Sequence, residues 1–507
     1  MSTTRPNILF ITSDQQHAST LGRVNDRLRT PALDRLCDEG TRFDRAYCVN
    51  PTCTPTRASM ITGLYPSQHG AWTLGTKLFE DVPTLGDYLT ELGYATALVG
   101  KAHFQPLATR YGMESIECQP VLRDLDFWRN FRGPWYGFRQ VETARMHGCE
   151  SHAGQRYALW MEERGLEDWQ DYFEDWPRNP EKAKALRQNR SWDLPEEFHY
   201  TTWTGERSVA QIEQAVEEGR PFFLWASFHD PHPPYIVSEP WASMYDPADM
   251  EPGHLLEGEH DANPEHFRKT QERDPDYWRA AARGEAIHGG HGHLHDVEEL
   301  KKDMAVYYGM VSFMDKEIGR ILDALDRLGI ADNTLVVFTT DHGHFLGQHG
   351  LIAKAIHHYE DLLKIPFIVR WPGRVPAGRV SGDIQNSVDL APTFLAAAGQ
   401  DVPFDMTGLN QLPSWTGSQP VRTWSITENH HGTTHFHMRT YVNERYKITV
   451  YRDGTEGELF DLEQDPGEQK NLWNDPAAAR TKQTLMHEFL QACLQYEQTR
   501  MPRIAGA

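Results

Sequence analysis

Five short apolar runs, each suited in length and composition to a strand buried on both faces, constrain this chain more than any other feature. They are Asn7 to Thr12, Tyr94 to Val99, Pro221 to Phe228, Thr334 to Thr339 and Ile365 to Arg370. Between them lie segments of helical periodicity, notably Thr84 to Leu92, Thr204 to Glu218 and the long Asp296 to Leu328. Strands alternating with helices predict an α/β fold: a large mixed, mostly parallel sheet sandwiched by helices. In such sheets ligands collect beyond the carboxyl ends of the strands. Four of the runs end in a polar cluster: Ser13-Asp14-Gln15-Gln16, Gly100-Lys101-Ala102-His103, His229-Asp230-Pro231-His232 and Thr340-Asp341-His342-Gly343. The fifth ends in the bland Trp371-Pro372-Gly373. Four such endings on one edge imply a single site assembled from distant parts of the chain, and hence an enzyme.

The 507 residues suffice for one large core plus a smaller domain. We expect a catalytic domain over residues 1–400 and a C-terminal α+β domain over 401–507. In the latter, Thr423 to Glu428, Phe436 to Val442 and Tyr446 to Arg452 read as an antiparallel sheet, and Asp475 to Gln498 as a helix. Residues 105–200, rich in Trp and Arg, and 240–295, acidic and then rich in His and Gly, fit neither pattern. They read as insertions over the catalytic edge or at a subunit contact of a homo-oligomer. The His288 to Asp296 cluster, HGGHGHLHD, has no preset geometry and reads as a solvated loop.

The formal charge of −22 argues against nucleic acid and anionic membrane surfaces as partners. A small anionic substrate must then be drawn in by a local cationic pocket. The N-terminal apolar run ends in Asp14 without a cleavage pattern and reads as a strand, and no stretch approaches the length of a membrane span. Six cysteines (37, 48, 53, 118, 149 and 493) show neither pairing nor zinc-type spacing, so the expected location is cytoplasmic.

Chemistry concentrates at Cys53-Thr54-Pro55-Thr56-Arg57, inside the run CTPTRASMITGLYPSQHG. Thr54 suits an N-cap and Pro55 the first helical position, which would leave Cys53 just before a helix N-terminus. Backbone N–H groups and the positive end of the helix dipole would face an anion there, with the Arg57 fork within reach. Asp14 and Asp341 would repel each other if buried together without a cation, so the pair calls for a metal or a base, although either alone could cap a helix.

The Cys-x-Pro-x-Arg run, continued by Ala58, Ser59, Thr62 and Gly63, resembles the signature of the formylglycine-dependent sulfatases of the alkaline phosphatase superfamily. So do GKAHF, SFHDPHPPY, TTDHGHFLGQHG, GLIAKAIHHYEDLLKIPFIVRWPG and the closing ELFDLEQDPGEQKNL. The resemblance spans most of residues 5–480. It implies that a maturation enzyme oxidises Cys53 to formylglycine, whose hydrate attacks a small-molecule sulfate ester. It further implies one divalent metal, calcium or alternatively manganese, held by Asp14, Asp341, His342 and residue 53, with Gln15 as a further oxygen donor. By the same resemblance Arg57 assists the nucleophile, Lys101 and Lys354 bind the oxyanion, His103 takes a proton from the hydrate, and His232 protonates the leaving group. His229 is the alternative acid, and His357 and His358 read as helix-face residues. Many members carry Asp-Asp and Asp-Asn where this chain has Asp14-Gln15 and Asp341-His342.

Those departures also occur in the phosphonate monoester and phosphodiester hydrolase branch, which is the main alternative. A non-enzymatic binding protein with a degenerate site, and a phosphatase using Cys53 as a thiolate, are the others. Trp72, Trp135, Tyr136, Arg145 and His147 are pocket residues by composition alone, each read first as ordinary packing.

Overall fold

The computed structural model describes residues 5–505 apart from 111, 174–188, 272–295, 355, 433–435 and 500. Its main sheet runs in the order β11 (Arg379–Ser381), β2 (Thr41–Phe43), β10 (Phe367–Arg370), β9 (Thr334–Thr340), β1 (Asn7–Ser13), β7 (Phe222–Ser227), β4 (Ala95–Gly100) and β5 (Gln140–Thr143). Strands β9, β1, β7, β4 and β5 are parallel, with Ile8 of β1 opposite Phe223 on one side and Leu335 on the other. β10 runs antiparallel to both its neighbours. This reversal explains its bland ending, because the carboxyl end of β10 lies at the opposite edge of the sheet.

Alternation along the strands feeds two apolar layers, as expected for a sheet covered on both faces. Ile8, Phe10, Phe223, Trp225, Leu335 and Val337 enter one layer, with Ala58, Met60 and Ile61 of the Cys53–Thr62 helix and Phe394 of the Leu390–Ala397 helix. Leu9, Ile11, Leu224, Ala226, Val336 and Phe338 enter the other. There they meet Leu33 of Pro31–Glu39, Ile212 of Tyr200–Glu217 and Met314, Ile318 and Ile321 of Val297–Arg327. Burying each of these larger side chains contributes about 2 kcal/mol. Asp296 caps the long helix by accepting from the Glu299 N–H. The rest of the His288 to Asp296 cluster lies outside the described residues.

A second sheet is antiparallel throughout: β13 (Trp424–His430), β14 (His437–Asn443), β15 (Tyr446–Tyr451) and β16 (Gly457–Asp461). β16 falls within the ELFD stretch, whose alternation is too short to show as a strand in the sequence. Leu485, Phe489 and Ala492 of the Ala479–Gln495 helix cover this sheet against Ile426, Tyr441, Ile448 and Leu459. Two short parallel pairs complete the strands among the described residues: β3 (Ala46–Tyr47) with β12 (Gln385–Asn386), and β6 (Asn189–Ser191) with β8 (Tyr235–Val237).

β13 docks on the segment that leads into the Cys53 helix. Glu428 N–H donates to the Val49 carbonyl at 2.8 Å, the Thr427 hydroxyl to the Cys48 carbonyl at 2.6 Å, and Asn50 Nδ2 to the Glu428 carbonyl at 2.6 Å. All six cysteines are free thiols, and no helix among the described residues is long and apolar enough to cross a membrane.

Candidate active site

Cys53 is the first helical residue, two positions earlier than the spacing predicts. Thr52, extended at φ −140° and ψ 155°, flanks the helix, and the Thr54 hydroxyl caps nothing. Asn50 sets the turn instead, its Oδ1 accepting from Thr52 N–H at 2.9 Å and Thr52 Oγ1 at 2.6 Å. Pro55 remains in the first turn, where a missing N–H costs no intrahelical bond.

The polar endings of β1, β4, β7 and β9 converge on this helix start. Gly100 ends β4 at φ 101°, and a Cβ there would lie 1.9 Å from the Ser227 carbonyl oxygen. Only glycine permits this approach, through which Lys101 N–H bonds Ser227 O at 2.9 Å. The Cys53 Sγ lies 3.6 Å from Asp14 Oδ1, 3.3 Å from His342 Nε2 and 3.0 Å from Lys354 Nζ. Lys354 Nζ is also 3.1 Å from His232 Nε2 and 3.2 Å from His342 Nε2. Lys101 Nζ pairs with Asp14 Oδ2.

Asp14, Cys53, Asp341 and His342 each present one ligand atom within 4.8 Å of the others, and all four are buried. The donor chemistry fits a divalent cation. His342 Nδ1 meets the Gly343 carbonyl at 3.1 Å, which turns Nε2 toward the cluster. Burial, and then the Lys354 charge, push His342 down to about 4, so its imidazole is in the neutral form that binds metal. Gln15, at φ 61°, has both side-chain amide atoms buried without a partner, so its oxygen is available as a further donor. Burial would raise the Asp14 carboxyl, but Lys101 and then His232 outweigh it and hold it well below the usual range. The Cys53 Sγ occupies the position of the formylglycine oxygens that the resemblance implies.

Arg57 differs from expectation. Its Nε donates to Asp341 Oδ2 at 2.8 Å, and its Nη1 to the Lys101 carbonyl at 3.0 Å and Ser227 Oγ at 2.7 Å. Only Nη2 is without a protein partner, so the side chain orients a carboxylate rather than presenting a full fork to substrate. Asp341 Oδ1 meanwhile accepts from the N–H groups of Gln15 and His342, both at 3.0 Å.

His103 sits at φ 60° with its N–H on Glu117 Oε1 at 2.9 Å and its Nδ1 unpartnered. Burial, and then Arg145 and Lys101, hold its imidazole well below its usual range, so it is neutral and able to accept a proton. His232 is lowered likewise, by burial first and by His147 and Lys354 next. His229 turns away, its Nε2 3.0 Å from the Ala144 carbonyl. His357 and His358 are buried in a non-helical segment, contrary to the expected helix face, and His358 Nδ1 meets Thr440 Oγ1 at 2.6 Å.

Of the pocket residues chosen by composition, Trp135 and Tyr136 pack around Phe104, and Trp72 stacks on His430 at 4.1 Å. His147 instead belongs to the site, with Nε2 2.7 Å from Lys101 Nζ, and Arg145 Nε lies 3.7 Å from Glu117. Sequence reasoning missed Glu117 and Glu150 altogether. Both lie where periodicity is lacking, although Glu150 follows β5, whose parallel register aims its carboxyl end at the same edge.

The stretch before Lys354 is anchored by His349, with Nδ1 3.1 Å from Glu259 and Nε2 3.6 Å from Asp361. Burial opposes its charge, yet hydrogen bonds to Asp361 and Glu259 outweigh it and lift His349 from 6.5 to about 9. A raised pKa stabilises the fold fully below the unfolded value and is lost as pH rises through the folded one. His349→Asn tolerates the left-handed backbone here, φ 58°. In chemical denaturation, the stability excess of the unmutated protein over this variant should shrink by about 3 kcal/mol from below pH 6.5 to above pH 9. A pH-independent difference would refute the pairing.

Residues 6–400 match the family model described as Sulfatase, and residues 347–495 match one described as N-sulphoglucosamine sulphohydrolase, C-terminal. The chain belongs to the sulfatase family. It is 29% identical to the multifunctional alkaline phosphatase superfamily protein PehA of Trinickia caryophylli, over 97% of this chain and 95% of that one. It is 28% identical to an arylsulfatase of Clostridium perfringens, over 93% and 90% of the two chains. A phosphonate monoester hydrolase structure from Silicibacter pomeroyi superposes with a TM-score of 0.77 at 25% identity, covering 97% of this chain and 96% of that one.

Proposed function

We propose that this enzyme hydrolyses sulfate monoesters of small alcohols or phenols to alcohol and sulfate, with Cys53 oxidised to formylglycine. The observation that carries the reading is the convergence on Sγ of Lys354, His342 and Asp14, at the start of a buried helix and beside Lys101. Formylglycine supplies a hydroxyl that can attack sulfur and a second whose deprotonation releases the product. A divalent metal supplies Lewis-acid polarisation; Asp14, Asp341, His342 and residue 53 would hold it, with Gln15 as a further donor. Calcium suits the oxygen ligands, and the imidazole admits manganese.

The chain's own residues do the rest. Lys354 and Lys101 offer ammonium donors to the sulfuryl oxygens, and Arg57 orients the Asp341 carboxylate. His232 Nε2 lies 3.1 Å from Lys354 Nζ, and the pair supplies the proton to the departing oxygen, the ammonium giving it up and the imidazole relaying it. Neutral His103 accepts the proton from the second hydroxyl. The maturation enzyme implied for Cys53 is the expected protein partner, and six free thiols support a cytoplasmic location.

Gln15 and His342 favour a second reading, a phosphonate monoester or phosphodiester hydrolase using the same site. A matched panel of aryl sulfate, alkyl sulfate, phosphonate monoester and phosphodiester separates the two, and higher kcat/KM on phosphonates throughout would reverse the assignment. Within the sulfate reading, His232→Ala should slow an alkyl sulfate about 100-fold more than an activated aryl sulfate, whose phenolate needs little protonation. An equal loss on both would make His232 a binding residue and not the acid.

A further inference from the structure

The turn after β5 carries an imidazole that the proposed reaction does not use. His147 is buried, with Nε2 2.7 Å from Lys101 Nζ and 3.6 Å from Asp14 Oδ2. Its Nδ1 lies 3.0 Å from Glu150 Oε2. Its ring stacks on that of His232, centroids 3.8 Å apart and planes 17° from parallel.

These contacts determine which nitrogen carries the proton. An ammonium has donors only, and Lys101 is already paired with the Asp14 carboxylate, so His147 Nε2 must accept. Nδ1 then bears the hydrogen and donates it to Glu150. The turn holds the carboxylate in place: Glu150 Oε2 also accepts from His147 N–H at 3.2 Å, and Glu150 N–H donates to the His147 carbonyl at 3.1 Å. Gly148, at φ 49°, brings the turn against Pro234, where a Cβ would lie 2.9 Å from the Pro234 Cγ. The turn is thus wedged against the segment that leaves His232.

The geometry points to His147, held by Glu150, as a positioning residue that aims Lys101 and sets the ring plane of His232 for departure of the alcohol. One face of its chemistry is an acceptor for the oxyanion-binding lysine. The other is a flat surface against the acid. A single side chain therefore couples binding of the sulfuryl group to protonation of the leaving oxygen. This role rests on the sulfate-ester reading above.

The test uses the mature, metal-loaded enzyme. His147→Ala should lower kcat/KM about 100-fold for an alkyl sulfate and about 10-fold for an activated aryl sulfate, chiefly through kcat, with metal content unchanged. Glu150→Ala should give the same leaving-group pattern at smaller amplitude. Glu150→Gln, whose amide oxygen still accepts from Nδ1–H, should recover most of the loss. Equal losses on both esters, a loss confined to KM, no loss, or Glu150→Gln as impaired as Glu150→Ala would each overturn the proposal. Should His147→Ala unfold or shed metal, the Glu150 pair decides alone, since that side chain is 25% exposed on a turn. If the unmutated enzyme prefers phosphonate monoesters, the sulfate reading fails on its own, and the same comparison on aryl and alkyl phosphonate esters then decides the role of His147.

Discussion

Cys53→Ala is expected to lower kcat/KM by on the order of 10⁵-fold on every ester the enzyme cleaves. The side chain lies within reach of Lys354, His342 and Asp14, so its loss removes the group on which all of them are trained. The substitution removes one buried sulfur and leaves the helix backbone unchanged, so the variant should fold. Mass spectrometry of the active protein provides the complementary measurement. The peptide containing residue 53 should be about 18 Da lighter than its cysteine form, reflecting the exchange of thiol for aldehyde oxygen. Full activity in a preparation whose Cys53 is an intact thiol would sink the mechanism.

Asp341→Ala should abolish both metal binding and turnover, the latter by about 10³-fold or more. It also removes the partner of a fully buried guanidinium, since Arg57 and Asp341 are both 0% exposed. Breaking such a pair costs about 3–5 kcal/mol, so an inactive alanine variant could simply be unstable. Asp341→Asn separates the two effects. Its amide oxygen can still accept from the N–H groups of Gln15 and His342, so it keeps part of what alanine loses, although its Nδ2 then faces the Arg57 Nε donor; it brings no charge to a cation. The asparagine protein should therefore melt closer to the unmutated one yet retain little metal by elemental analysis. A full complement of metal in Asp341→Asn would remove Asp341 from the ligand set.

The strands were legible because each is a run of apolar residues long enough to stand out, and because a polar cluster at a strand end is a local pattern. Asp14, Lys101, His232 and Asp341 all follow from that pattern. What the pattern could not convey is direction: β10 looked like the other four strands until its pairing showed it to be antiparallel. The start of the Cys53 helix was misjudged by two residues because Asn50, not Thr54, organises the turn. His147 was named by composition alone and Glu150 escaped, because their segment is irregular and the meaning of His147 comes from Lys101, 46 residues earlier in the chain. Arg57 lies at the cluster with its Nε on Asp341, a partner the sequence did not suggest, since spacing cannot reveal a carboxylate contributed 284 residues away. His357 and His358 show the converse failure, a helical spacing overridden by tertiary contacts.

The complete burial of the Cys53–Thr62 helix, all ten residues of it, bears on the order of events during synthesis. Its walls come late in translation: Asp341, His342 and Lys354 emerge roughly 300 residues after Cys53, as the separations of 289 and 301 residues from His342 and Lys354 indicate. An enzyme that oxidised this thiol would have to reach a helical side chain that is 1% exposed in the finished protein. On the proposed maturation, Cys53 would be open to it while the nascent chain still lacks β9 and the segment behind it. A chain that folds before it is oxidised would stay a thiol for as long as it remains folded. The active fraction of a preparation would then record a race between a maturation enzyme and the closing of the sheet, and slowing translation should raise that fraction without any change in sequence.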